Sequence, residues 1–224
     1  MKRLLVVLGI AAAIAVVPTQ AWATSITYQI GVGNPDISSY VGPYAQVTIN
    51  LVDATHADLT FQSYAGYTMG DGGSVGVNVN ASSWTLTNLT GSNSGIGFGP
   101  GPYSDGGSGN EDGFGAFNQK ITSDDGYTSS SDLISFRLTN TSGTWNVLDA
   151  SSVLIANSSG YFAASHIFIC GSTPCDASNN TGVTGFATIG NTTQELPRVP
   201  EPATMTMLGT GLLFAASRIR RRKV

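Results

Sequence analysis

The chain has 224 residues, 41% of them hydrophobic and only 11% charged, with 28 glycines, two cysteines and a formal net charge of −4. Charged residues make up about a quarter of an ordinary soluble protein, so solubility here must rest on Ser, Thr, Asn and Asp, as in secreted β proteins. The apolar residues recur regularly enough to build a core, which excludes a disordered chain.

At the N-terminus, Lys2 and Arg3 precede an apolar run from Leu4 to Val17, and Ala21-Trp22-Ala23 precedes Thr24. A positive region, a short apolar region and an A-x-A site make a secretory signal peptide. Residues 1–23 are therefore expected to form a signal helix that is removed on export.

Residues 24–197 are then one ectodomain. Lys120 and Arg137 are its two basic residues, against thirteen acidic ones. Such a balance repels phosphate backbones, and nucleic acid is excluded as a partner. Period-two alternation runs through Gln46–Leu51, Leu59 and Phe61, Val75 to Val79, Trp84–Thr87, Phe117–Ile121 and Ile134 to Leu138. Residues 153–157 and 161–169 add two strands, the latter apolar enough to be buried on both faces. Ile26–Val32 and Phe186–Ile189 stand as first and last strands. No span holds a 3.6 period over three turns, and no repeat has a fixed period. Short alternating strands between Gly/Asn/Ser turns predict an all-β sandwich or barrel, taken here as a jelly-roll-like β-sandwich.

Gly91–Gly115 is the segment of lowest complexity and too long for an ordinary hairpin, so a functional or disordered loop is expected there. It carries Asp105, Asn110, Glu111 and Asp112, with Asp124 and Asp125 in a nearby turn. Calcium takes 6–8 oxygen ligands in flexible loops, which makes the first four a candidate calcium site. Their spacing matches neither the EF-hand pattern nor a calcium-binding repeat, and solvated turn residues account equally for the composition. Gly95, Gly97 and Gly99 are not a nucleotide fingerprint, since no βαβ unit surrounds them. Apart from calcium, no cofactor is expected.

Cys170 and Cys175 frame CGSTPC; in an exported protein they are read as a disulfide pinning a short turn. Tyr40, Tyr44, Tyr64, Tyr67, Tyr103 and Tyr127, with Trp84 and Trp145, could stack on sugar rings. Ordinary core and rim packing is the competing reading, and the one preferred for both tryptophans. Catalysis has little support. A glycosidase needs two carboxylates facing across a cleft, and no pair stands out. His56 lies in a turn, and His166 reads as a core histidine. No G-x-S-x-G elbow is present. An enzyme is not expected, a glycan hydrolase being the remote alternative.

The C-terminal segment 198–224 has its own organisation. Val199-Pro200-Glu201-Pro202 comes first, and no residue from Ala203 to Ser217 is charged. Arg218, Arg220, Arg221, Arg222 and Lys223 close the chain. The apolar run reaches the ~17-residue lower limit of a membrane helix only as 203–219, with Arg218 snorkelling. The basic tail stays cytoplasmic by the positive-inside rule. The prolines hold Glu201 in an extended segment that a protease can reach.

Val199–Pro202, the apolar run and the arginine cluster together resemble the PEP-CTERM sorting signal. The resemblance implies export through the inner membrane, transient anchoring by the short C-terminal helix, and cleavage near Pro200-Glu201-Pro202 by exosortase, a membrane protease. The product then resides on the cell surface or outside the cell. Exosortase systems accompany exopolysaccharide production, so the resemblance also implies an exopolysaccharide-associated matrix. Phe114-Gly115-Ala116-Phe117-Asn118 and Ser135–Trp145 resemble a block in a subset of PEP-CTERM ectodomains, which implies no activity. The reading is a noncatalytic surface or extracellular-matrix protein. A carbohydrate-binding module, with or without calcium, is the alternative.

Overall fold

The structure is a computed structural model that describes residues 24–70 and 72–189. The expected signal peptide, sorting segment and membrane span fall outside the described residues, as do Arg218, Arg220, Arg221, Arg222 and Lys223. Among the described residues no helix is long and apolar enough to cross a membrane.

In chain order the strands are β1 (Thr24–Gly33), β2 (Ala45–Leu51), β3 (His56–Ser63), β4 (Tyr67–Met69), β5 (Val75–Val77) and β6 (Trp84–Ser92). They continue with β7 (Ser104–Glu111), β8 (Gly115–Thr122), β9 (Leu133–Asn140), β10 (Ala163–Cys170) and β11 (Asn180–Ile189). Short 3-10 turns cover Tyr127–Ser129 and Ala150–Val153. The alternating segments form strands because one face is apolar. In β2 the buried positions are Ala45, Val47, Ile49 and Leu51, and in β9 they are Ile134, Phe136, Leu138 and Asn140. Every second side chain on a strand shares a face.

The jelly-roll expectation needs correcting. A jelly roll divides its strands between two sheets, whereas these form one continuous antiparallel sheet in the order β6-β9-β3-β2-β1-β11-β10-β5-β8-β7, with β4 also on β10. The sheet curls until it is nearly closed into a barrel-like shape. Met69 of β4 bridges to Ser131, just ahead of β9. Trp84 Nε1 of β6 donates to Gln119 Oε1 of β8 at 2.8 Å. The main core lies inside the curl, where Phe61 and Phe136 stack 6.3 Å apart among Ile30, Ile49, Leu59, Ile134 and Ile167.

Strand β10 is buried on both faces, as its apolar sequence predicts. Ala163, Ile167 and Ile169 join the main core, while Ala164 joins Phe114 and Phe117 in a second cluster outside the curl. The 153–157 segment is not a strand. Val153 ends a 3-10 turn, and Leu154 makes an isolated bridge with Val79.

The glycine-rich stretch is only partly loop, because β7 occupies Ser104–Glu111 and pairs with β8. It is an edge strand, so its outer face needs no apolar residues. Its register slips between Asp105 and Gly107 and again between Gly107 and Gly109. Gly107 there takes a φ of 61°, a left-handed conformation that glycine adopts without strain. The opposite edge, β6, is also bulged, at Thr87–Thr90, with Asn88 at φ 54°. Bulges on both edges discourage pairing with a second chain.

Candidate functional site

Strand geometry separates the four candidate calcium ligands. Asp105 lies opposite Ile121 and Glu111 opposite Gly115, at the two ends of β7. Five intervening residues put them roughly 20 Å apart. Asp105 Oδ1 accepts from the Gln119 amide at 2.7 Å and from Gly107 N–H at 2.8 Å. Glu111 is fully buried, and Asp112 and Asn110 on either side of it are exposed. The alternation that buries Glu111 turns its neighbours outward. No group of three or more His, Cys, Asp or Glu able to hold a metal ion occurs among the described residues. The oxygen-rich composition of the segment thus does not become a convergent ligand set.

The two histidines have different surroundings. His166 packs between Phe168 and Phe186, nearly parallel to both rings, with Nε2 2.6 Å from Thr184 Oγ1. In the β2–β3 turn, His56 Nδ1 lies 2.9 Å from both Asp53 oxygens and 3.1 Å from Thr55 Oγ1. Carboxylate and hydroxyl meet the same ring nitrogen, whereas a triad needs one on each. The Thr55 backbone N–H, followed by the His56 ring, holds the Asp53 carboxyl well below its usual range. The group is a turn cap.

Most of the aromatic residues are structural. Tyr44, Tyr127 and Trp145 are buried. The Trp145 indole donates to the Asn80 carbonyl at 2.9 Å. Tyr103 bonds Ser131 through its hydroxyl at 2.7 Å. Tyr64 and Tyr67 differ, because both line an open groove of about 610 Å³.

Three chain segments build this groove. The first is the β3–β4 turn, with Tyr64, Gly66 and Tyr67. The second is Ser92–Gly95 after β6, against Asp132. The third is the Cys170–Cys175 disulfide loop, with Thr173. The expected disulfide is present, its Cα atoms 5.4 Å apart. It closes the loop immediately after β10, where Cys170 N–H donates to the Gly66 carbonyl at 2.9 Å.

The second wall is fixed by side-chain caps. Asn93 Nδ2 donates to the Ser130 carbonyl at 2.8 Å, and its Oδ1 accepts from Gly95 N–H at 2.9 Å. Asp132 Oδ2 accepts from Ser94 N–H at 2.7 Å and from the Ser94 hydroxyl. Tyr64 donates its hydroxyl proton to Gln46 Oε1 at 3.0 Å, and Tyr67 donates to the Val41 carbonyl at 2.6 Å. Burial raises the Tyr67 phenol above its ordinary pKa. Sequence reasoning named both tyrosines but missed Asn93, Ser94, Asp132 and Thr173, each of which reads locally as a turn residue.

The register gives the groove a definite place. Thr24 pairs with Leu51 at one end of the sheet, while Ile30 pairs with Ala45, and Ala45 with Ser63, toward the other. The groove is at the Ser63 end, roughly 20 Å along β1 from Thr24. Strand β11 begins beside the disulfide loop, with Asn180 opposite Cys170, and runs away from it to Ile189 opposite Ile30.

Beyond the described residues, positions 198–222 match the family model of the PEP-CTERM protein-sorting motif. The match takes in Val199, Pro200, Glu201 and Pro202 and does not extend to the 114–145 block. No curated protein and no solved structure matches the chain.

Proposed function

The chain carries a PEP-CTERM protein-sorting motif, which implies export and processing by exosortase at the cell envelope, and from that premise we propose a noncatalytic surface or extracellular-matrix protein. The signal peptide directs the chain across the inner membrane. The 203–219 segment then holds it there with the arginines inside, until cleavage near Pro200-Glu201-Pro202 frees the β domain for the surface or the matrix. The motif is the observation that carries this reading.

The groove supports the noncatalytic part. Its lining includes one carboxylate, Asp132, where glycoside hydrolysis needs two. Glu111, the carboxyl whose pKa burial raises, is fully buried and does not line it. Carbohydrate binding is a second reading, favoured by the two tyrosines that the groove brings together.

Intact-mass measurement of the exported protein tests the processing. The wild type is expected to lack both ends. Glu201→Gln, or replacement of Pro200 and Pro202 by alanine, is expected to leave the 203–224 segment attached. Normal maturation of those variants would overturn the mechanism.

A further inference from the structure

The groove beside the disulfide loop is lined by residues outside the sorting motif, and its lining is selective in chemical terms. We infer that it is a binding site for a short run of neutral sugar units within a polysaccharide chain. The inference deepens the carbohydrate-binding reading by naming the site and the charge class of the ligand.

Charge narrows the ligand first. No Lys, Arg or His is among the lining residues, and the ectodomain around them is strongly acidic. Phosphate, sulfate or uronate groups would meet no counter-charge and a repulsive field. Nor is the groove built for a metal ion. Asp132 is its one carboxylate, already accepting two hydrogen bonds from Ser94, whereas calcium takes 6–8 oxygen ligands. Anions and metal ions are thus disfavoured, and Asp132, whose Oδ2 is committed to Ser94, leaves an uncharged ligand as the best fit.

Polarity narrows it further. Hydroxyls and amides of Asn93, Ser94 and Thr173 share the lining with the rings of Tyr64 and Tyr67. Asn93 keeps one amide N–H and one carbonyl lone pair beyond its two structural bonds, and Ser and Thr hydroxyls both donate and accept. A purely apolar ligand would leave these groups unpaired at a cost. Since both phenols commit their protons elsewhere, the rings themselves are what the tyrosines offer. Tyrosine supplies rigid contact area at low entropic cost. Alternating apolar C–H faces and hydroxyl rims are the surface of a neutral sugar ring.

The walls are also assembled in advance. Tyr64 N–H donates to the Tyr44 carbonyl at 2.9 Å, the Asn93 amide is held at both ends, and the disulfide fixes the third wall. Little ordering remains to be done on binding, which favours affinity. A volume of about 610 Å³ falls within the ~300–1,000 Å³ range of small-ligand sites. A polymer with repeated units could engage many copies at once, so a weak single site suffices for retention in a matrix.

The test titrates the naturally exported, processed protein with maltotriose, cellotriose, mannotriose and chitotriose, following Tyr/Trp fluorescence. Trigalacturonate serves as the anionic counterpart, and each titration is repeated with EDTA. At least one neutral trisaccharide is expected to bind saturably, unaffected by EDTA. Ala65→Arg, on the exposed rim, is expected to weaken that binding by about tenfold or more without moving the thermal midpoint, as filling a contact site does. Tyr64→Phe, which keeps the ring, is expected to bind like wild type, and Tyr64→Ala to lose binding; this pair decides the matter if Ala65→Arg fails to fold. Binding of trigalacturonate alone, loss of binding in EDTA, silence with all four neutral sugars, or full affinity in both Ala65→Arg and Tyr64→Ala would each overturn the proposal. A correctly trimmed protein that ignores every neutral sugar defeats the groove and leaves the sorting reading intact.

Discussion

Lys120 lies across edge strand β7 and brings its ammonium within 3.2 Å of Glu111 Oε1, a carboxylate with no exposed surface. Neither Glu111 oxygen makes a well-directed hydrogen bond among the described residues. The lysine itself is steadied by donating to the Asn110 carbonyl at 3.1 Å. Gly109 makes the crossing possible, since a Cβ there would lie 2.5 Å from Lys120 Cδ. Lys120 and Arg137, the two basic residues of the ectodomain, are both in ion pairs, Arg137 with Asp58 at 2.6 Å.

Burial raises the Glu111 carboxyl from an ordinary 4.5 to about 7, with Lys120 opposing the rise only in part. The folded state therefore holds a proton that the unfolded chain releases at lower pH. This contribution is fully present below about pH 4.5 and is lost as pH rises through 7. The loss amounts to roughly 3 kcal/mol once Glu111 is ionised. Glu111→Gln should be more stable than wild type at pH 8.5, and the advantage should vanish at pH 4.5. Urea unfolding at the two values measures it.

Lys120→Met should destabilise at pH 8.5 by about 3–5 kcal/mol, because it leaves a buried charge without its partner. Combining it with Glu111→Gln should recover most of the loss, since no buried charge then remains. A double-mutant cycle by urea denaturation checks the coupling. A double variant whose stability equals the sum of the two single effects would mean the pair is not coupled.

Replacing both Cys170 and Cys175 with serine should cost about 2 kcal/mol, the chain-entropy value for so short a loop. The thermal midpoint should fall, and a reducing agent should lower the wild type to match. The change should also loosen the groove wall at Thr173, so sugar affinity should fall further than global stability predicts.

Asn88 stands alone among the described non-glycine residues in having a positive φ. Asn88→Gly should be close to neutral, whereas Asn88→Val should cost about 1–2 kcal/mol, the penalty for left-handed backbone at a side chain with a Cβ. If the β6 bulge also protects an edge, the valine variant should aggregate more readily on storage, as light scattering would record.

The strands most legible in the sequence were those with one wet and one dry face. Val47, Ile49 and Leu51, Leu59 and Phe61, and Ile134, Phe136 and Leu138 alternate in sequence and are all buried as that pattern requires. Strand β7 left no such mark, because SDGGSGNE pairs through its backbone at an edge. The sign that could have revealed it was a lone lysine five residues beyond a turn, needing glycines to lie across. Alternation identifies faces but does not say whether neighbouring strands belong to one sheet or two, so the continuous curl was beyond its reach. The acidic residues of the glycine stretch were visible as composition, and their separation along a strand was not. The groove was hidden for a similar reason. Tyr64, Asn93, Asp132 and Thr173 lie in separate turns, and only the path of the sheet gathers them.

Strand β1 sits between β2 and β11, so the opening strand of the mature domain is hydrogen-bonded to the closing one. A chain threaded outward from its N-terminus delivers Thr24 first and Ile189 nearly last. On the export route proposed above, the seam between them cannot zip until almost the whole of residues 24–189 has crossed. On that route, the strand order would bring completion of the domain close to the arrival of the sorting motif, which follows Ile189 by fewer than ten residues.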